Sequence, residues 1–267
     1  MQGQRKRGNM LKGLYSAYTG MINEQHRMDV MTNNLANVTT VGFKKEGTTS
    51  QSFSDMLAFK LKDASVGLGR NQYIGINNPG VKIGENYVDY SEGSYRITSN
   101  TFDIALEGDG FFVIEFTNKA GETSTKYTRA GNFTLNKDGY LVNNNGDYVL
   151  DTQNRRIQLD PLMDADITGD GRISQNGNVV AQIQVIDFEN YDYLHRYGET
   201  YFEPIEGAQT MASSATMHSG VLEMANVQVV SEMVNMIAIT RQYESNQKVL
   251  QTYDRSLDIV ANNLGKV

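Results

Sequence analysis

Apolar residues recur every seven positions at both ends of this chain, and between the two ends the period drops to two. Near the front Leu14, Met21, Met28 and Leu35 form one such series, and at the back Met236, Tyr243, Leu250, Leu257 and Leu264 form another. A period of seven lays side chains along one stripe of a helix, and a stripe of that kind is satisfied by a partner helix. From Met10 to Asn37 the face is broadened by Leu11, Tyr15, Tyr18, Ile22 and Met31 and interrupted by Gly13 and Gly20. Asn37, Thr39, Thr40 and Gly42 then bring turn chemistry that ends the helix. The stretch Val221 to Leu264 contains neither Gly nor Pro, and Ile239, Tyr253 and Val260 add a second apolar track in which Asn246 is a polar, register-fixing interruption. The spacing predicts that the two ends meet in a coiled coil. It also predicts that the second helix outruns the first, leaving the apolar run from Met224 to Met233 or the far end without a partner, as an interface.

From Val81 onward apolar residues alternate through Ile83, Tyr87, Phe102, Ile104 and Leu106 into the run Phe111 to Phe116. Asp109-Gly110, Ala120-Gly121, Ala130-Gly131, Asp138-Gly139, Asn145-Gly146, Asp170-Gly171 and Asn176-Gly177 punctuate this region. Short strands joined by Asn-Gly and Asp-Gly turns read as antiparallel hairpins. The expected fold is α+β: a discontinuous coiled-coil helical domain built from both termini, with an inserted antiparallel β-domain. Its expected segments are a polar tail over residues 1–9, an N-terminal helix over 10–42, a connecting region over 43–80, the β-domain over 81–220 and a C-terminal helix over 221–267. The connecting region carries a short helical pulse at Phe53, Met56, Leu57 and Leu61.

Composition narrows the chemistry. The net charge is -7 with no basic stripe through the body, so no nucleic-acid partner is expected. The basic cluster Arg5, Lys6 and Arg7 lies in the tail, which reads as an upstream-initiation remnant; no apolar core of a cleavable signal follows it and no run is long enough to span a membrane. With no cysteine, disulfides, thiolate zinc sites and cysteine nucleophiles are excluded together. The stretch Asp166 to Ser174 imitates the start of a calcium loop, but the closing position is Gly177 where a bidentate Glu is required, so a β-turn is the expectation. His26, His195 and His218 are far apart, and Asp151, Asp160, Asp164 and Asp166 sit near turns where carboxylates are ordinarily solvated. No phosphate-binding glycine loop, nucleophile elbow or paired-histidine helix is present. No catalytic residue, cofactor or metal is expected.

Longer motifs carry more. Asn33-Asn34-Leu35-Ala36-Asn37-Val38-Thr39-Thr40-Val41-Gly42-Phe43-Lys44 resembles the N-terminal signature of bacterial flagellar basal-body rod and hook proteins. Glu107-Gly108-Asp109-Gly110-Phe111-Phe112-Val113, Tyr127-Thr128-Arg129-Ala130-Gly131-Asn132-Phe133 and Asp138-Gly139-Tyr140-Leu141 are similar to that family's β-domain motifs. Asn226 to Ile237, continuing through Arg241, Tyr243-Glu244 and Asn246, is similar to its terminal helix. With room for one β-domain, the chain resembles the larger rod proteins, distal or proximal, and the segment Phe53 to Leu57 tilts the likeness toward the distal one. The resemblance implies a non-enzymatic subunit that leaves the cell through the flagellar export apparatus without a cleavable signal. It implies assembly with copies of itself and with other rod and hook proteins into a helical tubular shaft. The assembly interface would be Leu14, Met21, Met28 and Leu35 against Met236, Tyr243, Leu250, Leu257 and Leu264. The competing readings are a secreted coiled-coil binding module assisted by calcium and, more distantly, a hydrolase.

Overall fold

The computed structural model describes the backbone of residues 3–54, 56–60, 72–77 and 80–264, and side chains within 13–54 and 80–262. The chain divides into two units. One gathers residues 1–35, 46–88 and 229–267; the other holds 36–45 and 89–228.

The first unit contains helices α1 (Gly3–Ala36) and α2 (Val229–Leu264) and the strands β1 (Glu46–Ser52), β2 (Met56–Lys60), β3 (Gln72–Asn77) and β4 (Val81–Val88). α1 starts at Gly3, so the helix continues back into the stretch expected as a polar tail: no Pro interrupts residues 3–9 and Gln4 to Arg7 are good helix formers. The two helices are consequently nearly equal, at 34 and 36 residues, and the expected overhang of the second is not seen in the backbone. α2 in turn begins at Val229, because Val221–Glu223 is extended and pairs as a strand.

α1 and α2 run antiparallel. A Cβ on Gly13 would collide with the Tyr253 hydroxyl, a Cβ on Gly20 would stand 3.1 Å from the Asn246 amide nitrogen, and Thr240 Oγ1 lies 3.9 Å from Met28 Sδ. The two glycines that interrupt the apolar face thus sit in the contact, where they let the larger α2 side chains approach. On its other flank α1 meets the β1–β4 hairpin, whose register runs from Glu46↔Val88 to Ser52↔Val81. Asn23 exchanges hydrogen bonds with Ser50 Oγ (3.0 and 3.1 Å), His26 lies 3.0 Å from Asn86, and the Asn34 side chain accepts from the Glu46 N–H and donates to its C=O. β2 and β3 pair antiparallel, Met56↔Asn77 to Lys60↔Gln72. The helical pulse expected at Phe53, Met56 and Leu57 is therefore largely a strand, since two apolar residues one turn apart fit a pleat as well as a helix; Leu61 lies outside the described residues.

The second unit is antiparallel throughout. Its strands are β5 (Tyr95–Ile97), β6 (Ile104–Glu107), β7 (Phe111–Thr117), β8 (Thr123–Thr128), β9 (Thr134–Leu135), β10 (Leu141–Val142), β11 (Tyr148–Val149), β12 (Ala165–Ile167), β13 (Arg172–Gln175) and β14 (Asn178–Gln182). They continue with β15 (Val185–Phe188), β16 (Leu194–Tyr197), β17 (Tyr201–Pro204), β18 (Thr210–Ala212), β19 (Thr216–Ser219) and β20 (Val221–Glu223). The main sheet has the order β16-β17-β8-β7-β11-β10-β9, with β15 pairing to β7 and β18. β12-β13-β14, β19-β6 and β20-β5 form smaller sheets. Ile104, Leu106, Phe112, Ile114, Phe133 and Leu141 meet in one core and are fully buried.

The turn dipeptides behave as their chemistry demands at most positions. Asn176 (φ 51°) and Gly177 (φ 78°) are both left-handed, as the tight turn between β13 and β14 requires. Gly131 differs from the expectation: it is a glycine because a Cβ there would run into the Ile104 carbonyl, which accepts no such approach, and Ile104 N–H donates to Gly131 O at 2.9 Å.

Candidate assembly surfaces

Two features of the helical unit bear on assembly, the partly buried seam and what is left outside it. On α2 the protected positions include Glu232, Met236, Ile239, Tyr243, Asn246, Leu250 and Tyr253, spaced alternately by four and three residues, with Thr240 and Ser256 half-buried beside them. This is the spacing of a helix that keeps one seam toward a neighbour. Met236, Tyr243 and Leu250 are half-buried on it, as are Leu14, Met21, Met28 and Leu35 on α1. Leu257 is 43% exposed, and the Leu264 side chain lies outside the described residues. Glu232, 1% exposed, is a buried member of the seam that apolar periodicity could not reveal.

Outside the seam α2 carries Val230, Met233, Val234 and Ile237, all more than half exposed. They sit at i, i+3, i+4 and i+7, a second apolar stripe on one face. α1 carries its own exposed series, Tyr15, Tyr18 and Ile22, at three- and four-residue spacing. Stripes of this kind normally mark an interaction surface. Sequence periodicity puts Tyr15, Tyr18 and Ile22 on the same broad face as the α1 seam, because both are apolar and only packing separates them, whereas Val230 and Met233 lie in the run expected to lack a partner.

In the β unit the family-like motifs converge on a buried ion cluster. Lys44 Nζ donates to Glu223 Oε1 at 2.7 Å and to the Ser91 carbonyl at 2.8 Å, with both charged side chains 1% exposed. Gly93 N–H donates to the same carboxylate oxygen at 3.0 Å, and Arg129 Nη1 lies 3.6 Å from Glu223 Oε2. Burial pushes the Lys44 ammonium below its usual range, opposed by the Glu223 charge. Gly42, at φ 68°, donates to the Glu223 carbonyl at 2.8 Å, and any side chain there would strike the backbone of Arg129 and Ala130. Asn226 completes the arrangement: its side chain accepts from Lys45 N–H at 2.7 Å and donates to the carbonyls of Asp89 and Ser91. The segments entering and leaving this unit near residues 45, 89 and 226 are therefore tied to one another inside it. With its charges sealed from solvent, the cluster is a clamp and not a place where a substrate could be turned over. Glu223 and Asn226 were not singled out for any such role by sequence reasoning; a carboxylate and a cation far apart in sequence give no periodic signal.

The other candidate chemistry disperses. Asp166 to Ser174 is the β12–β13 hairpin, with Asp166 opposite Ser174 and Gly171 at φ 76° in the turn. Among the described residues no group of three His, Asp or Glu side chains could hold a metal ion. His26 pairs with Asn86 and His218 lies 2.6 Å from Glu107, while His195 is exposed on β16. Among the described residues no helix is long and apolar enough to cross a membrane.

Comparison with known proteins agrees with this geometry in three separate stretches. Residues 14–44 match the family model described as flagella basal body rod protein, 105–181 the flagellar hook protein FlgE/F/G D1 domain, and 218–264 the flagellar basal body rod FlgEFG protein C-terminal model. The flagellar basal-body rod protein FlgG of Bacillus subtilis is 34% identical over 95% of this chain and 99% of its own length. The flagellar hook-basal body complex protein FlhO of the same organism is 32% identical over 97% and 100%. The flagellar basal-body rod protein FlgF of Mesorhizobium japonicum is 30% identical over 96% and 99%. With its helical ends, its buried clamp and its β unit all spanned end to end by such relatives, the chain belongs to the flagellar basal-body rod protein family.

Proposed function

We propose that this structural subunit of the flagellar basal-body rod polymerises through its terminal helices, which zip as a coiled coil within each copy and against neighbouring copies to make a stiff tubular shaft. The shaft carries torque from motor to hook, with no enzymatic step. One observation carries the reading: α2 turns a partly buried seam toward α1 and still presents Val230, Met233, Val234 and Ile237 to solvent. Burying about 25 cal/mol per Å2 of such surface favours association, and a head-to-tail contact that does not close produces a filament. Within this reading Leu14, Met21, Met28, Leu35, Met236, Tyr243 and Leu250 hold the two helices of one copy together, while Leu257 and Leu264 extend the contact between copies. The same physics suits passage through the flagellar export apparatus, since helices completed only by neighbours can travel unfolded and order on docking. Other rod proteins and the hook are the expected partners at the two ends of the polymer.

The calcium-assisted binding module finds no support in the hairpin at Asp166 to Ser174 or among the relatives. The test is Val234→Asp combined with Ile237→Asp. The purified variant should keep the parent's circular dichroism and thermal unfolding while failing to polymerise, and cells carrying it should be non-motile. Normal rods and normal swimming in that variant would overturn the proposal.

A further inference from the structure

Two Asn-Gly pairs stand in turns of the β unit, Asn145-Gly146 and Asn176-Gly177. An asparagine followed by glycine carries its own hydrolytic chemistry. The glycine nitrogen, with no Cβ beside it, can attack the asparagine Cγ and close a five-membered succinimide. Whether a folded chain permits this depends on how firmly the attacking nitrogen and the departing amide are held. The two pairs differ in both respects.

The turn at Asn145 is locked. Its side-chain amide donates to the Tyr201 hydroxyl at 2.6 Å, and its N–H donates to Asn143 Oδ1 at 2.9 Å. The Gly146 N–H is engaged as well, donating to the Asn143 carbonyl at 3.0 Å. Gly121, Gly139 and Gly171 are tied in the same way, each N–H donating to the carbonyl three residues back. Gly177 breaks this pattern, because its hairpin closes one residue later, at the Gln175–Asn178 pair, and among the described residues its N–H has no acceptor. A Cβ there would meet nothing within 4 Å, so the surroundings of the nitrogen are open. Asn176 is exposed, and its amide nitrogen reaches only the Met163 sulfur, a weak acceptor, at 3.2 Å. It also holds φ 51°, which a residue with a side chain adopts at a cost, so leaving that conformation relieves strain.

We infer that Asn176 is a site of spontaneous deamidation in the folded protein and that Asn145, of the same chemistry, is protected. The Gly177 nitrogen loses its proton to solvent base and bonds to Asn176 Cγ, the Cγ–Nδ2 bond breaks, and the amide leaves as ammonia. Water then opens the succinimide at one or the other carbonyl, leaving aspartate or isoaspartate at position 176. Either product changes the hairpin. A carboxylate appears beside Met163, in a region that already carries Asp160, Asp164 and Asp166. The isoaspartyl form also lengthens the backbone of the tight turn, next to a strand pair whose register already shifts between Ile173 and Ser174. Because β14 is the edge of its sheet, held by β13 alone, its pairing is what the product loosens.

Peptide mapping by mass spectrometry reads both sites in one sample. In the full-length folded chain, kept in mildly alkaline buffer, Asn176 should convert about tenfold or more ahead of Asn145, where two hydrogen bonds must break before the nitrogen can attack. Isoaspartate should be found in the product at position 176. In concentrated guanidinium chloride, where both turns are lost, the two sites should convert at similar rates. Asn145 keeping pace with Asn176 in the folded chain would overturn the inference, and so would an Asn176 that folding slows as strongly as it slows Asn145. Neither result bears on the polymer reading, which makes no use of this turn.

Discussion

The β unit finishes its own core, whereas the helical unit stops halfway. In the β unit Ile104, Leu106, Phe112, Ile114, Phe133 and Leu141 are all fully buried. Along the two helices only Ala17, Val30 and Ile239 are buried apolar residues among those described, beside the buried polar Asn23, Glu24, Asn34 and Glu232. The β unit therefore has little to gain from a neighbour except at its edges, while the helices keep apolar surface that is exposed among the described residues. A subunit of this design can hold a folded body before assembly and reserve its helices for the polymer.

The sharpest way to break that contrast is to open the β unit's clamp. Glu223→Leu leaves Lys44 and Arg129 buried without their anion, and should cost about 3–5 kcal/mol in urea unfolding of the full chain. A loss below about 1 kcal/mol would show that the ions are solvated in solution. Next in size comes a matched pair of truncations. Leu106→Ala, in the closed core, should cost about 2–5 kcal/mol. Leu250→Ala, half-buried on the seam, should cost about 1 kcal/mol in the free subunit. The order should reverse in a polymerisation assay, where Leu250→Ala is the more damaging of the two.

The sequence was legible where a residue's neighbours are periodic or local. The helix stripes, the Asn-Gly and Asp-Gly turns and the strand run Phe111 to Phe116 are of that kind, and the structure shows each as a helix face, a turn or a strand. Three things were not legible. The 46–52 and 81–88 strands pair with each other in the helical unit, because a hairpin with a long excursion between its arms has no short-range turn signal. The β5–β20 pairing and the Lys44–Glu223 contact join positions more than a hundred residues apart, which one sequence cannot register. The split of α2 into a partly buried seam and an outer stripe depends on which side α1 occupies. Gly13 and Gly20 mark that side, and read from sequence they were merely interruptions.

Alkaline pH offers a milder probe of the β unit. Tyr201 donates to Asp147 at 2.6 Å and accepts from Asn143 and Asn145 at 2.7 and 2.6 Å. Burial, helped by the Asp147 hydrogen bond and charge, pushes its phenol up to about 12. The folded pKa is raised above the unfolded value of about 10, so the stabilisation is complete below pH 10 and disappears as pH climbs through 12. Denaturation midpoints of the β unit, followed by tyrosine fluorescence, should fall over that window, and Tyr201→Phe should flatten the fall. An unchanged slope in Tyr201→Phe would transfer the effect to another group, Tyr95 being similarly raised to about 12.

The smallest effect concerns the seam itself. Gly20→Ala replaces a glycine in a helix interior and gains about 0.5–1 kcal/mol of helix propensity. Against this, the new Cβ would stand 3.1 Å from the Asn246 amide, which must yield by a few tenths of an ångström. An amide on a flexible side chain can do so, and the net change should stay within about 0.5 kcal/mol of the parent. Gly13→Ala carries the same propensity gain but drives its Cβ into the rigid phenol of Tyr253. It should destabilise the helical unit, and Tyr253→Ala in the same chain should relieve the clash. If the two glycine variants melted alike, the close approach at Gly13 would be absent in solution, and the antiparallel register drawn from Gly13–Tyr253, Gly20–Asn246 and Met28–Thr240 would lose its first member.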